Sequence, residues 1–166
     1  MLLNRQAPML GIAAIAALAS AQDEVAAATA TLEVSATVAN ACTVESGSLD
    51  FGAYHAGPQA PSLEGSGGFN VQCTSPASVD IKLDGGLNEG AGGDARAMKG
   101  PGNSYLNYAL FEGASPFAFP WDPGLEIAYP VNSGANEVVV NGVIAAGQTA
   151  QAGEYSDTVQ ITMTFN

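Results

Sequence analysis

Residues 31 to 38, Thr-Leu-Glu-Val-Ser-Ala-Thr-Val, alternate strictly between two faces. Leu32, Val34, Ala36 and Val38 share one side, and Thr31, Glu33, Ser35 and Thr37 the other. This is the period of a half-buried β-strand. Similar short runs follow along the chain. Residues 42 to 54 hold two strand pieces around a Glu-Ser-Gly-Ser turn, and residues 68 to 75 put Phe69, Val71 and Cys73 on one face. Residues 77 to 83 point Val79, Ile81 and Leu83 inward. Residues 105 to 111 are apolar on both faces, which predicts a strand covered on both sides. Residues 137 to 146 read as a strand interrupted at Gly142. In residues 155 to 165, Val159, Ile161, Met163 and Phe165 oppose Thr158, Gln160, Thr162 and Thr164. A Gly-rich excursion (84 to 103) and a Pro-rich connection (113 to 124) lie between these runs. The one Ala-rich run, Ala26 to Ala28, has no cap and leads into β-branched residues, so no helix is predicted there. Twenty Gly and nine Pro punctuate the runs, so the pattern predicts an all-β sandwich in one domain, without internal repeat or dividing linker.

The first residues follow a different logic. Arg5, the apolar run Met9 to Leu18 and the small residues Ala19 to Ala21 read as a secretory signal peptide cleaved after Ala21. A bilayer span needs about 20 apolar residues, more than this run supplies. The chain is therefore divided into a signal peptide (1 to 21), an N-terminal extension (22 to 41) and a β-sandwich domain (42 to 166), with no membrane span.

Export changes the reading of Cys42 and Cys73, the chain's two cysteines, which are expected to form a disulfide. Charge removes several function classes. All sixteen carboxylates lie after residue 21, against Lys82, Arg96 and Lys99, and the net charge is −12. Nucleic-acid binding needs clustered cations on phosphates, and an electrostatic membrane patch needs them too. Two thiols and one distant His do not make a four-ligand metal site. His55, the single histidine, sits in a Tyr-His-Ala-Gly-Pro turn with no nucleophile motif, and scattered carboxylates form chance pairs, so no enzyme and no cofactor is expected. Asp84, Asn88, Glu89 and Asp94 are oxygen ligands, but their spacing departs from a calcium loop. Trp121, with Phe117, Phe119 and Tyr129, could form either a sugar-stacking platform or core.

Several stretches together resemble the spore coat protein U domain family, the subunit type of archaic chaperone–usher pili. They are residues 29 to 44, Leu-Asp-Phe-Gly-Ala-Tyr at 49 to 54, 69 to 74, Arg-Ala-Met at 96 to 98 with the run at 105 to 111, and 142 to 165. The resemblance implies an incomplete immunoglobulin-like sandwich of pilin type that lacks its last strand. A periplasmic chaperone fills the gap first. An outer-membrane usher then exchanges it for the N-terminal extension of the next subunit, which is donor-strand complementation. The sequence closes on the run at 155 to 165, so an unpaired acceptor edge is expected at Val159, Ile161, Met163 and Phe165. Leu32, Val34, Ala36 and Val38 are the expected donor strand. Two other assignments stay open: residues 31 to 38 as the first strand of their own domain, with residues 25 to 31 as donor, or self-complementation. The expected product is a structural subunit of a secreted surface fimbria that supports adhesion or biofilm formation. Its partners are identical or related subunits, the chaperone and the usher. The alternatives are a secreted carbohydrate-binding β-sandwich and a self-associating coat or matrix protein.

Overall fold

The computed structural model describes residues 27–113 and 119–165. The predicted signal peptide and Phe117 lie outside the described residues. The chain divides into two compact units, Met1–Thr37 and Val38–Asn166.

In the first unit, residues 27 to 37 form no strand and are exposed throughout. The alternation at 31 to 38 is thus a strand pattern without a strand in the single chain. Strand geometry is stabilised by cross-strand pairs and a hydrogen-bonded neighbour, and period alone supplies neither. Leu32, Val34 and Val38 are 86–88% exposed.

The second unit is all strand and turn among the described residues. Ten strands run in order: β1 (Cys42–Val44), β2 (Ser48–Asp50), β3 (Leu63–Cys73), β4 (Ala77–Leu83), β5 (Arg96–Lys99), β6 (Tyr105–Glu112), β7 (Phe119–Pro120), β8 (Glu126–Val131), β9 (Gly134–Ile144) and β10 (Ile161–Phe165). They form two antiparallel sheets. The larger has the order β1-β3-β9-β6-β5, with β2 also on β3 and β7 also on β6, and the smaller has the order β10-β4-β8. Inward residues of both sheets make one core. Val71 from β3, Val79 and Ile81 from β4, and Trp121 from the β7–β8 connection are fully buried. This is the two-layer sandwich that alternating patterning specifies.

Four strand readings are corrected. Gly142 does not interrupt β9; it pairs with Gly65 of β3 and the ladder continues to Ile144. Strand β3 starts at Leu63, because β2 and β9 flank its glycine-rich half and supply the missing pairs. Strands β5 and β8 arise inside stretches read as loop or left unassigned, held by β6 and β4 respectively. The last strand begins at Ile161 and not at Tyr155, so Val159 lies before it. At that point Asp84, just past β4, accepts from Gln160 N through its side chain and donates its own N–H to Gln160 O, and the regular ladder stops.

Cys42 and Cys73 are bonded, 31 residues apart in sequence and opposite each other in the β1–β3 ladder. Strand β1 has only three residues, so the bridge reinforces a short ladder. Reduction should lower stability by about 3 kcal/mol, or roughly 10 °C in melting temperature. Thermal unfolding of the full chain with and without reductant measures this. A difference within 2 °C would show that the bridge constrains nothing.

Candidate functional site

The two sheets do not close on each other along one side. Strand β10 is an edge of the smaller sheet and pairs only with β4 among the described residues. Facing it across the sandwich is the β2 margin of the larger sheet. A cavity of about 420 Å³ lies between them. Leu49, Phe51 and Phe69 line one wall, and Leu83, Val159 and Ile161 the other.

The apolar row of the last segment shows why this is a groove. Tyr155, Asp157, Val159, Ile161 and Met163 all face inward at alternate positions, yet each is only half-buried. Phe165 is 51% exposed. On the neighbouring β4 the equivalent row, Val79, Ile81 and Leu83, is 0–2% exposed. The same side chains would be covered if one more strand lay beyond β10. The sequence-predicted edge residues Val159, Ile161, Met163 and Phe165 thus fall along one open margin, with Val159 ahead of the strand proper.

Three features shape the groove that sequence reading did not single out. The first is a notch made by two inward glycines. Gly65 and Gly142 face each other in the β3–β9 ladder, and the Phe51 ring occupies the space their side chains would fill. A Cβ on Gly142 would lie 2.5 Å from Phe51 Cζ, and one on Gly65 would lie 2.9 Å from Phe51 Cδ1. The second is an edge-on contact between Phe51 and Tyr108, with ring centroids 6.0 Å apart. The third is Asp157. Its carboxylate accepts from Tyr108 OH at 2.7 Å, from Leu87 N at 2.9 Å and from Asn88 Nδ2 at 3.1 Å. It ties the Gly-rich loop to the polar end of the groove. Burial first, then the hydrogen bond to Asp157 and its charge, push the Tyr108 phenol well above its usual pKa, so it stays a donor. Asp157 shares the inward parity of Val159 and Ile161, and that parity was the signal available in the sequence.

Other candidate groups have structural duties. Trp121 is fully buried, stacked on Tyr129 with centroids 6.0 Å apart, and its indole N–H donates to Leu125 O. It therefore offers no face to a sugar, whereas Phe119 is 49% exposed. Asp84 caps its own turn by accepting from Gly86 N, and Asn88 donates to Asp157. No group of three or more His, Cys, Asp or Glu that could hold a metal occurs among the described residues. His55 is exposed in the loop after β2.

The sequence profile of the Spore Coat Protein U domain matches residues 28–162. Protein U of Myxococcus xanthus is 33% identical over 178 aligned residues, covering 93% of this chain and 96% of its own length. In the crystal structure of the CsuC–CsuE chaperone–tip adhesion subunit pre-assembly complex from archaic chaperone–usher Csu pili of Acinetobacter baumannii, one chain superposes with a TM-score of 0.55 at 24% identity. The match covers 78% of this chain and 40% of that one, so this chain spans less than half of its length. At that identity the likeness is one of fold.

Proposed function

The chain belongs to the Spore Coat Protein U domain family, and from that premise and the open groove we propose that it is a structural, non-catalytic subunit of a surface fibre. A periplasmic chaperone covers the groove, and an outer-membrane usher exchanges it for another subunit's N-terminal extension, residues 22 to 41. Leu32, Val34, Ala36 and Val38 of the incoming copy lie along the inward row of the last segment, Tyr155 to Phe165, on the margin that includes Val159, Ile161, Met163 and Phe165. Fibres so built leave the periplasm for the cell surface and serve attachment and biofilm formation. The fold neighbour's place in a chaperone–subunit complex supports this reading.

One observation carries the proposal: a single chain holds both an open apolar margin and an exposed apolar stripe of matching period. From Leu32 to Val38 an extended strand covers about 20 Å, and so does the inward row from Tyr155 to Ile161. Each buried Leu or Val contributes about 1.5–3 kcal/mol, and each ladder hydrogen bond about 0.5–1.5 kcal/mol net. The burial of Trp121 removes the main support for a carbohydrate-binding module.

The test is co-expression with the cognate chaperone and usher. Full-length chain should be recovered as chaperone complex and as heat-resistant polymer. Removal of residues 27 to 38, which belong to no strand, should abolish polymer and preserve chaperone capture. Polymer from the truncated chain would refute the donor assignment. Polymer formed without chaperone would favour a self-associating coat protein.

A further inference from the structure

The groove is not uniform along its length, and neither is the exposed stripe. Ile161 pairs with Leu83, and Phe69 and Val140 add aromatic and aliphatic lining to the same cavity. Two steps toward Tyr155 the space is already partly taken. There the Phe51 ring fills the Gly65–Gly142 notch and meets Tyr108, whose hydroxyl reaches Asp157 on the opposite wall. On the stripe, three of the four inward positions carry Leu or Val, and the fourth is Ala36.

From this match we infer that Phe51 is the residue that selects a small donor side chain, and that it receives Ala36 of the next subunit. The inference rests on the donor-strand reading above. Successive inward side chains of a strand stand about 6.8 Å apart. With Leu32 of one copy at Ile161 of the next, and the two segments antiparallel, Val34 falls at Val159 and Ala36 at Asp157, beside the Phe51 ring. A methyl group fits above a ring that already occupies the notch. A longer side chain would have to displace the ring from two glycines that offer it no alternative contact, or press on the carboxylate of Asp157. Overpacking of this kind is destabilising, as a cavity is. The Gly pair and Phe51 thus act as one device: the glycines make room on the larger sheet, and the ring sets how much of that room a donor can use.

The test uses synthetic donor peptides of residues 28 to 41 and chaperone-held full-length subunit, with uptake followed by loss of chaperone from the complex. The substituted position lies in the peptide, so subunit folding is untouched. Peptides carrying Ala36→Gly should enter at close to the unsubstituted rate, and those carrying Ala36→Leu at least about tenfold more slowly. Phe51→Leu or Phe51→Ala in the acceptor should restore entry of the Ala36→Leu peptide; whichever of the two variants folds serves. Equal rates for the Gly, Ala and Leu peptides overturn the size match while leaving donor exchange standing. Slow entry of the Leu peptide that neither acceptor variant relieves moves the restriction away from Phe51. Failure of the unsubstituted peptide to enter at all overturns the donor reading and this inference with it.

Discussion

Val34→Asp is expected to leave the subunit's fold and stability unchanged and to abolish fibre growth. In the single chain Val34 is 86% exposed and belongs to no strand. A carboxylate there replaces a methyl pair in water, and such surface changes stay within about 0.5 kcal/mol. In the donor role proposed above, the segment enters a neighbour's groove and the situation reverses. The side chain then faces Phe69, Leu83 and Val159, which offer no donor to a carboxylate, and Asp157 further along adds a like charge. Burying an unpaired carboxylate costs several kcal/mol, and protonation relieves only part of that near neutral pH. A loss of several kcal/mol per junction corresponds to at least about a thousandfold in the exchange equilibrium, and a fibre needs every junction. Glu33→Gln is the matched control, because Glu33 lies on the opposite face of the stripe. The readouts are thermal melting of the isolated chain and electron microscopy of co-expressing cells. Wild-type numbers of fibres from Val34→Asp would remove this stripe from the donor role. A lowered melting temperature would mean that the segment packs on its own subunit.

The parts of this fold that could be read in the sequence are those where period and burial coincide. Strand β4 (Ala77–Leu83) shows Val79, Ile81 and Leu83 inward with polar residues between, and its bounds match the pattern. The two pieces around the Glu-Ser-Gly-Ser turn likewise emerge as β1 and β2. The parts that could not be read are those held by partners remote in sequence. Strand β5 begins with an arginine inside a Gly-rich stretch and is a strand only because β6 pairs with it. Strand β8, with Pro130 near its end, lies at a sheet edge, where a missing donor is tolerated. Gly142 looked like a break because a lone glycine in a strand weakens it. Here a second glycine stands opposite, and the Phe51 ring, just after β2, fills the gap. The groove follows the same division. Its β10 wall was visible as an alternating row, while Leu49 and Phe51 became a wall only through the topology that brings β2 across from β10.

The same division hid the residue whose loss should cost the fold most. Arg96 read as one of three scattered cations, yet it is 2% exposed and its guanidinium points into the sandwich. Nη1 donates to Trp121 O at 2.6 Å and Nε to Asp84 O at 2.8 Å, with Nη2 3.4 Å from Leu83 O. These carbonyls lie at the end of β4 and in the β7–β8 connection, so one side chain joins β5 of the larger sheet to the smaller sheet's corner. Burial lowers the guanidinium pKa, while Tyr108, Asp84, Asp122 and Glu89 act in the opposite direction and favour the charge. Arginine suits the position because its planar fork serves divergent acceptors, which a single ammonium cannot do. Arg96→Ala strips donors from buried carbonyls and leaves the volume of the side chain empty. Breaking a buried charged network of this kind costs about 3–5 kcal/mol. Arg96→Lys should recover only part of that, because the shorter reach of one ammonium leaves Trp121 O or Asp84 O without its donor. Lys99→Ala, on the exposed end of the same strand, should stay within about 0.5 kcal/mol. Because Asp84 also holds Gln160 at the start of the groove wall, the loss reaches the open margin as well as the core. Urea unfolding of the full chain reports the order Lys99→Ala, Arg96→Lys, Arg96→Ala in rising cost. An Arg96→Ala subunit within 1 kcal/mol of the parent would mean that water takes over the three carbonyls and that the sheets are held by their apolar faces alone.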